Sequence, residues 1–173
     1  MSRISPPKGR QFAVAAALLL LVAAIAGAGA IATTSHVEGW YASVVKVPWD
    51  PPNAVFGPVW SALYVLIAIA GFLVWRSGYR PGEPNRARGV LTIYAVQLAL
   101  NAAWTPMFFA GYPALGEMAW TFAMAIMVAL IVSVIALAFF AARWSRTASV
   151  IMVVYLMWLV FASSLNLGII VLN

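Results

Sequence analysis

Five stretches of this chain, at about 12–34, 55–75, 89–109, 115–142 and 148–171, each run for roughly twenty residues or more with almost no charge. A helix needs roughly 20 mainly apolar residues to cross a hydrocarbon core of about 30 Å. Inside that core every backbone N–H and C=O must find a partner within the protein, which a helix supplies by itself. The expected fold is therefore all-α: an integral membrane protein built as a single bundle of five transmembrane helices. Only short connectors remain between the runs, so residues 1–173 are read as one domain. Composition agrees, since 8% of residues are charged against about 25% in soluble domains.

The net charge of +6 raises the question of nucleic acid, and its distribution answers it. Arg3, Lys8 and Arg10 precede the first run. Arg76, Arg80, Arg86 and Arg88 lie at or between the second and third, and Arg143 and Arg146 between the fourth and fifth. The alternate side holds only Lys46, so nine basic residues face one. Such asymmetry orients a membrane protein with its basic side inside. The expectation is an N-terminus inside and a C-terminus outside, with no nucleic-acid partner and some affinity for anionic lipid headgroups. The N-terminus also has the look of a signal peptide, but its apolar run exceeds the usual 7–15 residues of such a segment. Its short basic start, with no separate transit segment, points to a prokaryotic plasma membrane. With no Cys, the chain has no disulfide, no thiolate chemistry and no Cys ligand.

Residues 35–54 form the longest connector, and from Trp40 to Tyr64 the chain carries Trp40, Trp49 and Trp60 among several prolines. Pro fixes φ and removes N–H donors, while the aromatic rings suit the water–lipid boundary. The segment reads as a semi-rigid aromatic lid running into the second span. Helical spacing then gathers unusual residues onto single faces. Phe56, Trp60 and Tyr64 recur every four residues, with Gly71 further along. Gln97, Asn101, Trp104 and Phe108 share about 60° of arc at about 100° per residue. Tyr155, Trp158, Ala162 and Asn166 form a third stripe. Mostly apolar and aromatic walls with a few polar anchors are what small-molecule sites look like, so a cavity between these faces would suit a flat, hydrophobic, aromatic ligand. The plainer reading is that Asn101 and Asn166 are interhelical hydrogen-bond glue, and the sequence leaves the two readings level. Trp40, Trp75, Trp120 and Trp144 read as interfacial anchors, and His36 as a solvated loop histidine.

No Asp, Glu, Lys, Arg or His lies deep in any span, which argues against proton relays and ion-coupled pumps. No catalytic triad, carboxylate dyad or metal cluster can be assembled. The sequence thus offers no catalytic residues, no metal ligands and no obligatory cofactor. Ala95, Ala99 and Ala103 make a small-residue ridge opposite Gln97 and Asn101, fit either for a second copy or for a neighbour in the same bundle.

WYxxxxK followed by WxPPxxxFxxxWxxLY, then QLxLNxxW and YLxWxxFAxxLN, resemble the tryptophan-rich sensory protein / translocator protein family (TspO/MBR) over nearly the whole chain. The resemblance implies a five-helix membrane protein, often a homodimer, that binds porphyrin, haem or similar flat hydrophobic molecules. It implies pocket roles for Tyr41 and Trp49 of the lid, and for Trp60, Tyr64, Asn101, Trp104, Trp158, Ala162 and Asn166. Tetrapyrrole sensing, sequestration or stress-linked regulation would be the role, with translocation or light-dependent porphyrin breakdown as the alternatives. The usual Lys-Pro pair is Lys46-Val47 here, proline being displaced to Pro48. Val154 stands where Pro is usual, and LNLGIIVLN lacks the Tyr/Arg-containing cholesterol segment of animal members, so steroid transport is not implied.

Overall fold

The computed structural model describes residues 5–173. Arg3, one of the nine basic residues of the charge asymmetry, lies outside the described residues. The chain forms α1 (Lys8–Val37), α2 (Trp40–Ser43), a 3-10 turn at Asn53–Val55, α3 (Phe56–Gly78), α4 (Arg88–Phe109), α5 (Tyr112–Leu115), α6 (Met118–Ala141) and α7 (Arg146–Leu172). No strand occurs among the described residues. Five of these helices are long, and they coincide with the five apolar runs to within a few residues. Four segments, Lys8–Val37, Asn53–Gly78, Met118–Ala141 and Arg146–Leu172, have the length and apolarity of a membrane-crossing helix. The fifth long helix, α4, contains Gln97, Asn101 and Pro106 and is less apolar.

Local chemistry explains the boundaries. Pro52 and Pro58 bracket the 3-10 turn that leads into α3. Ser145 caps α7, its hydroxyl accepting from the Ala148 N–H at 3.2 Å. Gly116 takes φ +60° between α5 and α6, a backbone that side-chain-bearing residues avoid. It therefore starts α6 at Met118, three residues beyond the onset of the apolar run.

α6 packs against α4 and α7, α1 against α3 and α4, and α3 against α7. The main core, around Ile67, Met127, Leu130, Tyr155 and Leu159, joins α3, α4, α6 and α7. α3 and α4 approach closely because Gly71 has no side chain. A Cβ there would fall 2.5 Å from the Tyr94 ring, whose hydroxyl donates to the Ile67 carbonyl at 3.1 Å. α1 is held differently: Val22 is its one buried residue among those described.

A second, aromatic cluster lies beneath α2, formed by Tyr41, Phe108, Phe109, Trp120 and Ile169. Here the structure corrects the sequence reading of Trp120. It is 1% exposed and stacks on Tyr112 with ring centroids 4.9 Å apart, so it is a core residue rather than an interfacial anchor. A position at the start of an apolar run looks interfacial, but α5 and α2 fold over it.

Candidate functional site

Between α1, α3, α4 and α7, under α2, lies a cavity of about 530 Å³, within the usual range for small-molecule sites. Trp60 and Tyr64 of α3, Trp104 of α4, Ala162 and Asn166 of α7 and Tyr41 of α2 all stand on its wall. No Asp, Glu, Lys, Arg or His does. The three stripes read from the sequence thus meet around one space.

The aromatic wall is braced from behind. Trp60 lies against Tyr64, with centroids 5.5 Å apart, and meets Trp158 edge-on at 6.4 Å and 89°. Trp104 stacks on Phe108 at 5.5 Å. Edge-on and offset geometries are the favoured ones for aromatic pairs, so these rings hold one another in place. Trp158 does not itself reach the cavity wall; it supports Trp60.

Asn101 and Tyr155 also stand one layer back. The Tyr64 hydroxyl donates to Asn101 Oδ1 at 2.8 Å, and Asn101 Nδ2 donates to the Tyr155 hydroxyl oxygen at 2.7 Å. This buried chain ties α3, α4 and α7 together and fixes the ring that faces the cavity. Asn166 does reach the wall. Its Oδ1 accepts from Trp104 Nε1 at 3.4 Å, and its Nδ2 donates to the Trp120 carbonyl at 3.3 Å. Both bonds are long for N–H···O contacts, which leaves this amide the more adaptable polar group of the site. Gln97, on the same stripe as Asn101, is fully buried away from the cavity. Neither of its amide atoms has a hydrogen-bond partner among the described residues.

The lid predicted at 35–54 is resolved into α2 and an extended strap. Tyr41 of α2 is buried against Phe109, with Lys46 Nζ 4.0 Å above its ring and Asp50 Oδ2 3.6 Å from that ammonium. Burial, assisted by the Asp50 charge, pushes the Tyr41 phenol up to about 12. The strap then runs along α7. Asn173 clips Val45 at both ends of its peptide, Oδ1 accepting from the Val45 N–H at 2.8 Å and Nδ2 donating to the Val45 carbonyl at 3.0 Å. Val47 seats in a notch at Gly168, where any Cβ would collide with its methyl. Trp49 does not line the cavity; it is 56% exposed, and its Nε1 donates to Ser164 Oγ at 3.2 Å. The strap thus runs opposite in chain direction to α7, Val45 meeting Asn173, Val47 meeting Gly168 and Trp49 meeting Ser164.

Sequence reasoning missed the α1 side of the cavity, where Gly27, Gly29, Ala30, Thr33 and Thr34 form the wall. Their one signal was the clustering of small residues at the end of the first run. His36 is not on the wall; its Nδ1 lies 2.9 Å from the Ala32 carbonyl oxygen. No group of three or more His, Cys, Asp or Glu that could hold a metal ion occurs among the described residues.

These features define an all-helical membrane protein whose helices enclose an uncharged, aromatic-walled cavity beneath a strapped loop. The chain belongs to the TspO/MBR family, whose sequence model matches residues 16–172. It is 36% identical over 157 residues to the tryptophan-rich protein TspO of Archaeoglobus fulgidus, covering 91% of this chain and 95% of that one. It is 35% identical over 133 residues to the translocator protein of Homo sapiens, covering 76% and 74% of the two chains. It is 33% identical over 150 residues to the tryptophan-rich sensory protein of Cereibacter sphaeroides, covering 85% and 87%.

Proposed function

We propose that this protein binds a porphyrin, haem or similar flat hydrophobic molecule in the cavity between α1, α3, α4 and α7, and serves in sensing, sequestering or regulating that class of molecule. The observation that carries the reading is the wall itself: Trp60, Tyr64 and Trp104 face one uncharged space with Asn166 as an adaptable amide. Stacking on large rings suits a flat aromatic system, and few polar anchors suit a ligand that is mostly apolar. The test is a titration with iron-free protoporphyrin, read by quenching of tryptophan fluorescence. It should saturate, and Trp60→Ala should weaken binding about tenfold, ~1.4 kcal/mol. Absence of saturation, or an unchanged Trp60→Ala, contradicts the reading.

The membrane arrangement follows the same logic. α4 has 22 residues, about 33 Å at 1.5 Å per residue, enough to cross with the other four. Its amides Gln97 and Asn101 are 0% and 3% exposed, so they face the bundle rather than lipid. In this proposed arrangement the arginine-rich connectors face the inside of a prokaryotic plasma membrane, and the strap and Asn173 face the outside. A reporter fused after Asn173 should behave as external; a cytoplasmic signal there overturns the orientation.

A homodimer is the assembly we favour. Ala95, Ala99 and Ala103 are all exposed on α4, on the side away from Gln97 and Asn101, so no helix of the same chain covers the ridge. Small residues in this spacing let two helices approach closely. Ala99→Leu should reduce the crosslinked dimer severalfold and leave porphyrin affinity nearly unchanged. An undiminished dimer removes this ridge from the interface.

A further inference from the structure

We infer that the cavity opens sideways into the bilayer between α1 and α3, and that this gap is the route by which a flat hydrophobe from the strap-side leaflet reaches the site. The inference rests on the ligand-binding reading above. Three observations place the opening.

The first is where the cavity lies along α1 and α3. Every wall residue of α1 lies at or beyond Ala26, and every wall residue of the α3 segment lies at or before Tyr64. At the opposite end the two helices are joined, with Arg10 5.1 Å above the Tyr79 ring. The cavity thus occupies only the strap end of the α1–α3 seam.

The second is which sides are closed. The far half of α1 leans on α4, where a Cβ at Gly29 would sit 3.7 Å from Thr105. The strap is pinned to α7 at Asn173, Gly168 and Ser164. By contrast, a Cβ at Gly27 of α1 or Gly57 of α3 would meet nothing within 4 Å. Gly27, Ala30, Gly57 and Ser61 both line the cavity and are exposed, as residues beside an opening would be.

The third is the chemistry of the rim. A hydrophobe crossing it should not have to break hydrogen bonds. The hydroxyls there are already satisfied by their own helices: Thr34 donates to the Ala30 carbonyl at 3.0 Å and Ser61 to the Gly57 carbonyl at 2.8 Å. Such back-bonded hydroxyls are tolerated beside lipid. No charge lies on the rim. With Val22 its one described buried residue, α1 is also the long helix least anchored to the core, and few buried contacts mean low-cost local motion.

The chain has no Cys, so single cysteines can be placed at Gly57 and, separately, at Ala30, and modified with a bulky maleimide after folding in lipid nanodiscs. Cysteine at Val132, 61% exposed on α6, is the control. Stopped-flow quenching by iron-free protoporphyrin should show association and dissociation both slowed about tenfold or more at the two rim sites. Gly57 and Ala30 also line the cavity, so the rates carry the test. A lost wall contact speeds dissociation and leaves association nearly unchanged, whereas a blocked route slows both directions. The Val132 conjugate should match the unmodified chain. Unslowed association in both rim conjugates overturns the portal. Absence of saturable quenching in the unmodified chain removes the ligand reading itself, and the portal with it.

Discussion

Asn101→Leu is expected to lower the thermal midpoint by a few to about ten degrees and to weaken porphyrin binding, although Asn101 touches no part of the cavity. The residue is 3% exposed and supplies both the acceptor for Tyr64 and the donor for Tyr155. Its loss leaves two buried hydroxyls without their partners. An unsatisfied buried group costs about 1–3 kcal/mol in soluble proteins, while hydrogen bonds between membrane helices average nearer 0.6 kcal/mol. With two bonds lost at once, about 1–3 kcal/mol in total is the expected range. At roughly 2–4 °C per kcal/mol for a chain of this size, that gives the stated shift. Tyr64 then loses the bond that orients its ring, which is how the effect reaches the ligand. Tyr155→Phe in the Asn101→Leu background should add little, because the bond it would remove is already gone. Full additivity of the two substitutions, or an unchanged midpoint in Asn101→Leu, contradicts this role.

Gly168→Ala should destabilise the protein in its native background and stabilise it when Val47 is also Ala. A Cβ at position 168 collides with one methyl of Val47, while the Val47 Cβ lies 3.5 Å away at ordinary contact distance. Overpacking of this kind costs about 1–3 kcal/mol, whereas Ala gains about 0.8–1.0 kcal/mol over Gly inside a helix. With Val47 in place the clash wins. It displaces the strap and loosens the Trp49 bond to Ser164, so limited proteolysis within residues 44–52 should accelerate. In the Val47→Ala background only the propensity gain remains, and the sign reverses. The same sign in both backgrounds would show that Val47 and Gly168 are not a fitted pair.

How far these features could be read from the sequence depended on their range. The five helices and three aromatic faces were legible because helical periodicity is local: Trp60 and Tyr64 are four residues apart whatever surrounds them. That Asn101 ties helices together while Asn166 reaches the cavity was not legible, since both are amides on aromatic stripes. Only the positions of Tyr64 and Tyr155 separate them. The α1 wall went unseen because Gly27, Gly29 and Ala30 contribute space rather than chemistry, and periodicity arguments look for side chains. The strap along α7 was hidden for another reason. Val45 meets Asn173, 128 residues away in sequence, and nothing local at either position announces the other. Trp120 shows the reverse error, where a locally sensible interfacial placement was overridden by α2 and α5 folding over it.

On the proposed reading, a flat ring system is held in the cavity by stacking rather than through a metal bond, and parallel titration with iron-free protoporphyrin and with haem separates the two. The cavity wall carries no His, and His36 has its Nδ1 beside the Ala32 carbonyl oxygen. Both molecules should therefore saturate with affinities within about tenfold of each other, ~1.4 kcal/mol, and His36→Ala should change neither. Haem binding lost selectively in His36→Ala, with the iron-free ring still bound, would contradict the account.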